Sequence, residues 1–504
     1  MNIFEPMSTD WFAYQFWEIR KSKLLPGGGV PASHVKVERG RPAPTAEDTR
    51  SLAEVLGPPM RVPLRHDAGA DPLAPLPFGL IQINELADKL PVYDLPDRWA
   101  SADDAWREIV ELFGRPAAGA WGGVHDDAVL TRLAVEGMGA HLLRAGGEGG
   151  YEIDLSHLAR YPVRAPFERY GARLLLSPSL EPEAIERQGA TARPGDATWE
   201  RAVLAFESSL AAQITLADHS LTVHFAMAGS LVLALRLYLP EAHPLRDVLT
   251  PFTFATTTVN SSGVYSLLAD RAYFNRLFAF TYEGLCDLLA DAAADLRWET
   301  FPERLAARGL AAPLSAGAPL PFAADARLWW DAIDRFVAAV VERWADPADP
   351  AVQRFANGLR DLLPGQDRSP IDARDTQSAL RRMLSTAIFW ITVMHEQVGD
   401  VLWYVQDPTW MPTKIRPGSA ADQLLFKQEA VEKMILGVLT AQVQMPLVLD
   451  PLSPGFPDPG MDRAWAAFQE DIRAVGTEIA TRNAHRPRAF TGLAPERIHL
   501  SVSL

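Results

Sequence analysis

The chain has 504 residues, 48% of them hydrophobic and 22% charged, a globular composition that excludes a disordered protein. A formal net charge of −15 argues against a general nucleic-acid binder, because phosphate contacts need a positive face. The single cysteine, Cys286, excludes an intrachain disulfide and a thiolate metal cluster, and reads as a small buried apolar residue.

Residues 1–24 read as helical and carry Trp11, Phe12, Tyr14, Phe16 and Trp17. They have no basic start, no apolar run of secretory length and no small-residue cleavage site, so a cytoplasmic location is expected. Packing back on the main domain is the expected role of this segment, with membrane contact, a lid and self-association as alternatives. Residues 25–75 are rich in Pro, Gly and charge and read as an irregular arm. An extension over 1–75 would thus precede one domain over 76–504, without internal repeats or a linker-length break. In that domain apolar runs of helical length cover 202–239, 323–344, 376–404, 419–444 and 461–483. Strand signals are short and confine themselves to 151–155 and 172–176. The expected fold class is mainly α, one large helical domain with a long central helix and a few short strands. The run 221–239 approaches the length of a membrane span, but His224 and Arg236 interrupt it, which favours a core helix.

Two histidines of that central run, His219 and His224, and a third in a second apolar run, His395, are candidates for chemistry. Buried imidazole is costly unless it is hydrogen-bonded or coordinated, and both readings stand at this point. On a regular α-helix a spacing of five turns two side chains about 140° apart. His219 and His224 can face one ion only where the helix widens, as a π-bulge does. The zinc motif HExxH uses a spacing of four, and the segment His395-Glu396-Gln397-Val398-Gly399 lacks its second histidine. The final residues, Ile498 to Leu504, form an apolar, charge-neutral tail apart from His499. If the tail is buried, the Leu504 carboxylate needs a partner, and a metal cation is the strongest. A tail on the surface with its carboxylate in water is the alternative.

In this order the residues resemble the lipoxygenases. That family's metal helix holds two histidines with four residues between them, as in His219-Ser-Leu-Thr-Val-His224, and is followed by a His-Pro-(Ile/Leu) segment, here His243-Pro244-Leu245. A second helix supplies a histidine, here His395, and four residues later a further ligand. Family chains end in Ser-Val-(Ser/Ala)-Ile, and this one reads Ser501-Val502-Ser503-Leu504. Similar stretches in the same order are 76–94, Trp121 with 126–144, Phe301-Pro302 with Arg308-Gly309, 325–337 and 478–483.

The resemblance implies a non-heme iron, with manganese as the alternative ion, held by His219, His224, His395 and the Leu504 carboxylate. It implies a dioxygenase that takes a hydrogen atom from a polyunsaturated fatty acid-like substrate and adds O2 to give a hydroperoxide. Gly263 would be the small residue beside the site of oxygen addition, where glycine favours R-type products, and Leu267 would line the channel. Three departures matter. The fourth-ligand position is Gly399, which cannot coordinate, so a water, or Asp400 after a one-residue shift, must fill it, and Gly399→Asn is expected to restore the family ligand. A further family histidine is replaced by Gly229. The chain is short for an N-terminal β-barrel, a pattern similar to short bacterial members. Gly399 keeps two other readings open: a metalloenzyme of this fold that oxidises a non-lipid small molecule, and a catalytically degenerate lipid-binding relative.

Overall fold

A computed structural model describes residues 98–502, apart from 109–126, 400–410, 434–445, 451–455 and a few shorter gaps. The expected N-terminal helix and arm, the segment 76–94, Trp121, Asp400 and Leu504 lie outside the described residues.

The architecture is mainly α, as expected, and is built around one helix of 40 residues, Trp199–Tyr238. Ala and Leu dominate its sequence, and it contains no proline, the next being Pro240. It stops at Tyr238 because Leu239, preceding that proline, is extended. The helix is not uniform: Trp199–Ala212 and Gly229–Tyr238 are α-helical, whereas Gln213–Ala228 is a π-helix with every residue buried. By length and composition the whole helix could cross a membrane, but 89% of its apolar window is buried inside the protein. It serves as the core helix that its sequence suggests.

A second composite helix lies against it. Thr376–Phe389 is α-helical, Trp390–Met394 forms a π-turn, and His395–Gly399 returns to α geometry. Behind it packs Pro321–Trp344, which in turn contacts Pro459–Asn483. Both of these helices begin with proline in the first turn, where a missing N–H costs nothing. Asp325 and Arg482, from two separate stretches of family resemblance, meet here. The fully buried Asp325 carboxylate accepts from Arg482 at 3.1 Å and from both terminal nitrogens of Arg486 at 2.7 and 2.8 Å. His243 caps the short helix Pro244–Leu249 by accepting from the Leu245 amide at 3.1 Å, which gives the His-Pro-Leu match a structural role.

A five-stranded antiparallel meander, β1 (Arg144–Ala145), β2 (Tyr151–Asp154), β3 (Arg173–Leu176), β4 (Pro182–Arg187) and β5 (Ala190–Ala192), covers one side in sequence order. Ile153 pairs with Leu174 and Leu174 with Ile185, and all three turn into the core. On the opposite face Arg173 reaches Glu186 directly across and Glu152 diagonally. β4 and β5 are joined by Gln188 and Gly189, both at positive φ, the two-residue turn whose twist suits a hairpin. The sequence anticipated β2 and β3. The remaining three strands were not expected, because β1 and β5 are too short to show alternation and β4 opens on a proline.

Candidate metal centre

The π-helix settles the geometry that the spacing of five left open. With about one extra residue per turn, His219 and His224 return to the same face. Ser220 and Thr222 support the widening, since their hydroxyls donate to the carbonyls five residues back, Thr215 at 2.6 Å and Ala217 at 3.0 Å. His219 Nε2 and His224 Nε2 stand 3.1 Å apart. His395 arrives from the second helix, its ring centroid 5.0 Å from that of His219 and 5.4 Å from that of His224. One ligand atom from each of the three lies within 4.8 Å of the others. Separations near 3.1 Å are those of neighbouring nitrogens on one first-row ion, whose bonds to imidazole are roughly 2.0–2.1 Å.

Electrostatics suit a cation. Burial, reinforced by the neighbouring imidazoles, holds His219 well below its ordinary pKa, and burial with His395 nearby pushes His224 down to about 3. Both are therefore neutral at physiological pH, the form that offers a lone pair. Asn260, on the helix Thr256–Gly263, fixes which nitrogen offers it. Its amide donates to the His224 carbonyl at 2.7 Å, which turns its Oδ1 toward His224 Nδ1 at 3.1 Å. The proton of His224 is thereby kept on Nδ1 and the lone pair on Nε2. On the far side of the helix Asp218 accepts from Gln213 at 3.0 Å and bonds His141 at 2.9 Å, bracing the turn that carries His219.

Glu396 lies next to His395 and accepts from its Nδ1 at 3.2 Å. The same carboxylate oxygen accepts from His499 Nδ1 at 2.6 Å. Burial would raise the Glu396 pKa, but the His499 charge and the hydrogen bonds from both histidines outweigh it and hold the carboxyl well below the usual range. Asn260, Glu396 and His499 were not singled out from sequence. Asn260 lies in the polar stretch TTTVNSSG, Glu396 between His395 and Gln397, and His499 between two apolar residues, so no common pattern marks them.

Gly399 faces the cluster. A Cβ there would stand 2.8 Å from His219 Nε2 and 3.3 Å from two ring carbons of the same histidine. The bare backbone is what lets the His219 ring occupy this space, so an asparagine at 399 would first have to displace it. This corrects the simple expectation that Gly399→Asn restores a ligand. Gly263 is buried in helical geometry, without a kink, at the junction with the π-turn Val264–Leu268. A Cβ on it would meet Leu267 Cδ1 and Phe225 Cζ only at 3.9 Å. A methyl would thus fit beside Leu267 in ordinary contact, one turn along from Asn260.

The tail is drawn inward rather than left on the surface. Ile498, Leu500, Ser501 and Val502 are buried. Val448 donates to the Ile498 carbonyl at 2.9 Å, Leu500 to that of Pro446 at 2.8 Å, and the Ser501 hydroxyl to that of Phe254 at 2.6 Å. By contrast His485 is exposed, and its ring bonds its own helix at Thr481.

No family model matches the chain. Among characterised proteins it is 27% identical over 311 residues to a rat epidermal-type polyunsaturated fatty acid (12S)/(13S)-lipoxygenase, covering 57% of this chain and 46% of the relative. It is 26% identical over 315 residues to the pig polyunsaturated fatty acid lipoxygenase ALOX15, with the same coverage. The chain thus spans about half the length of the curated relatives it matches. Its fold is similar to that of a coral 8R-lipoxygenase (TM-score 0.68, 17% identity, 85% of this chain and 73% of the other). A LOX deletion variant in complex with arachidonate superposes with a TM-score of 0.71 at 15% identity, over 98% of this chain and 81% of the other. A fungal lipoxygenase from Fusarium graminearum gives 0.63 at 14% identity, over 91% and 90%.

Proposed function

Because the chain belongs to the lipoxygenase family, we propose that it is a non-heme iron dioxygenase that converts a polyunsaturated fatty acid-like substrate and O2 into a hydroperoxide. The observation that carries this reading is the convergence of His219, His224 and His395, all buried, on one point between two helices. Three imidazoles with a carboxylate suit a mid-row divalent metal such as iron, with manganese the alternative. The carboxylate would be that of Leu504, as the family resemblance implies. When bound, iron supplies a one-electron couple that can take a hydrogen atom from a doubly allylic CH2, so that O2 adds to the carbon left behind.

The chain's own residues do the remaining work. Asn260 keeps the His224 lone pair on Nε2. Gly399 makes room for the His219 ring. Burial of the cluster keeps bulk water from it, which protects a reactive carbon centre. Gly263, beside Leu267 and Phe225, leaves a space of methyl size that O2 can use.

The test is metal analysis of the purified protein together with an oxygen electrode and linoleate. Stoichiometric iron and oxygen uptake with a conjugated-diene product are expected. His219→Ala and His395→Ala should strip the metal, while His485→Ala should retain it. Protein that keeps iron but consumes oxygen only with a non-lipid substrate would favour the second reading. Protein that takes up neither iron nor manganese would sink both.

A further inference from the structure

We propose that Glu396 is a positioning residue that clasps the C-terminal segment to the histidine helix, so that the orientation of His395 and the docking of residues 498–502 are set by one carboxylate oxygen. The proposal rests on the metal-centre reading above. Its basis is a shared acceptor: Glu396 Oε1 takes a hydrogen bond from His395 Nδ1 at 3.2 Å and another from His499 Nδ1 at 2.6 Å. His395 and Glu396 open the helical segment His395–Gly399, whereas His499 belongs to a segment more than a hundred residues further along the chain.

Each bond has a definite effect. A carboxylate can only accept, so the proton of His395 must sit on Nδ1, which leaves the lone pair on Nε2. It also fixes the orientation of that nitrogen, as a carboxylate behind a metal-binding imidazole does. Asn260 does the first of these for His224 with a neutral amide, so the ligands are held by second partners of different charge. The bond to His499 acts on the tail. His499 is the residue of 498–502 that is not fully buried, and it sits where the tail bridges Leu447. The flanking Ile498 and Leu500 amide and carbonyl groups attach to 446–448, not to the histidine helix. The His499–Glu396 pair is therefore a polar tie between the tail and the helix that carries His395.

Since both donors share one oxygen, the two sites are coupled. Loss of His499 removes a competing donor, lets Oε1 move toward His395 Nδ1, and changes how strongly His395 donates. Merely structural residues of the tail have no such route to the ligand.

The experiment uses the full chain loaded with Mn(II). Mn(II) affinity is measured by chelator competition, its electronic symmetry by EPR, and tail docking by hydrogen exchange at 498–502. Glu396→Ala should weaken Mn(II) binding by about 10- to 100-fold and speed exchange in the tail. Glu396→Gln, which keeps an acceptor oxygen but no charge, should preserve tail protection and still alter the EPR spectrum. His499→Ala should loosen the tail and shift the same spectrum, and its effect should not add to that of Glu396→Ala. If Glu396→Ala does not fold, the Gln and His499 variants decide. Wild-type protein that binds Mn(II), with variants that match it in affinity and spectrum, would overturn the clasp alone. Wild-type protein that binds no metal would overturn the metal-centre reading and the clasp with it.

Discussion

Two glycines near the cluster look alike in the sequence and have opposite tolerances in the structure. At Gly399 an added Cβ would stand 2.8 Å from the ring tip of His219, inside any normal contact. Displacing that ring takes it from the position it shares with His224 and His395. Gly399→Ala is therefore expected to weaken metal retention at least tenfold, and Gly399→Asn to do the same, as measured by metal content after dialysis against a chelator. Tighter retention by Gly399→Asn would show that the ring moves freely. At Gly263 the nearest atoms would be 3.9 Å from the new methyl, an ordinary contact. Gly263→Ala should fold normally, with a helix-propensity gain of about 0.5–1 kcal/mol. Its effect should appear in the product: the methyl occupies the space beside Leu267, and chiral chromatography should show a fall in R-type hydroperoxide.

The element that makes the site is the π-stretch Gln213–Ala228, and its upkeep can be measured. Replacing Ser220 and Thr222 by Ala and Val removes two hydroxyl bonds to carbonyls five residues back. Each is worth about 1 kcal/mol, so the melting temperature should fall. Metal affinity should fall with it if those bonds hold the wide turn open, and a variant that loses stability but not affinity would assign the turn to packing alone. The histidine spacing made this element legible, because five residues cannot share a face on an α-helix. The π-turn Trp390–Met394 left no such trace, since a single histidine has no spacing to read. Asn260, Glu396 and His499 were silent for a related reason. Asn260 and His499 act on partners in other segments, Glu396 on its neighbour His395 and on the tail, and a polar residue does not by itself say what it touches. Helix starts at Pro321 and Pro459 fell two residues ahead of the apolar runs, because the first turn needs a cap and a proline rather than core residues.

At the scale of the molecule, one apolar core joins the central helix, the sheet and the outer helices, and buried charge is used where two outer helices cross. Asp325 is wholly buried, while Arg482 and Arg486 keep 30% and 17% of their side chains exposed. Removing one partner of a buried ion pair costs about 3–5 kcal/mol. Asp325→Ala should fall toward the lower end, because water reaches both arginines. Urea titration should show this loss while the metal content of the remaining folded protein stays unchanged, which would separate scaffold from site. The clasp at Glu396 also imposes an order on biosynthesis. His219 and His224 leave the ribosome first, His395 follows much later, and His499 later still. While the 170 residues between His224 and His395 are made, a nascent chain carries two imidazoles of the cluster without the third. On the proposed reading, the rate at which 498–502 docks would set how long a half-made site stays open to the wrong ion.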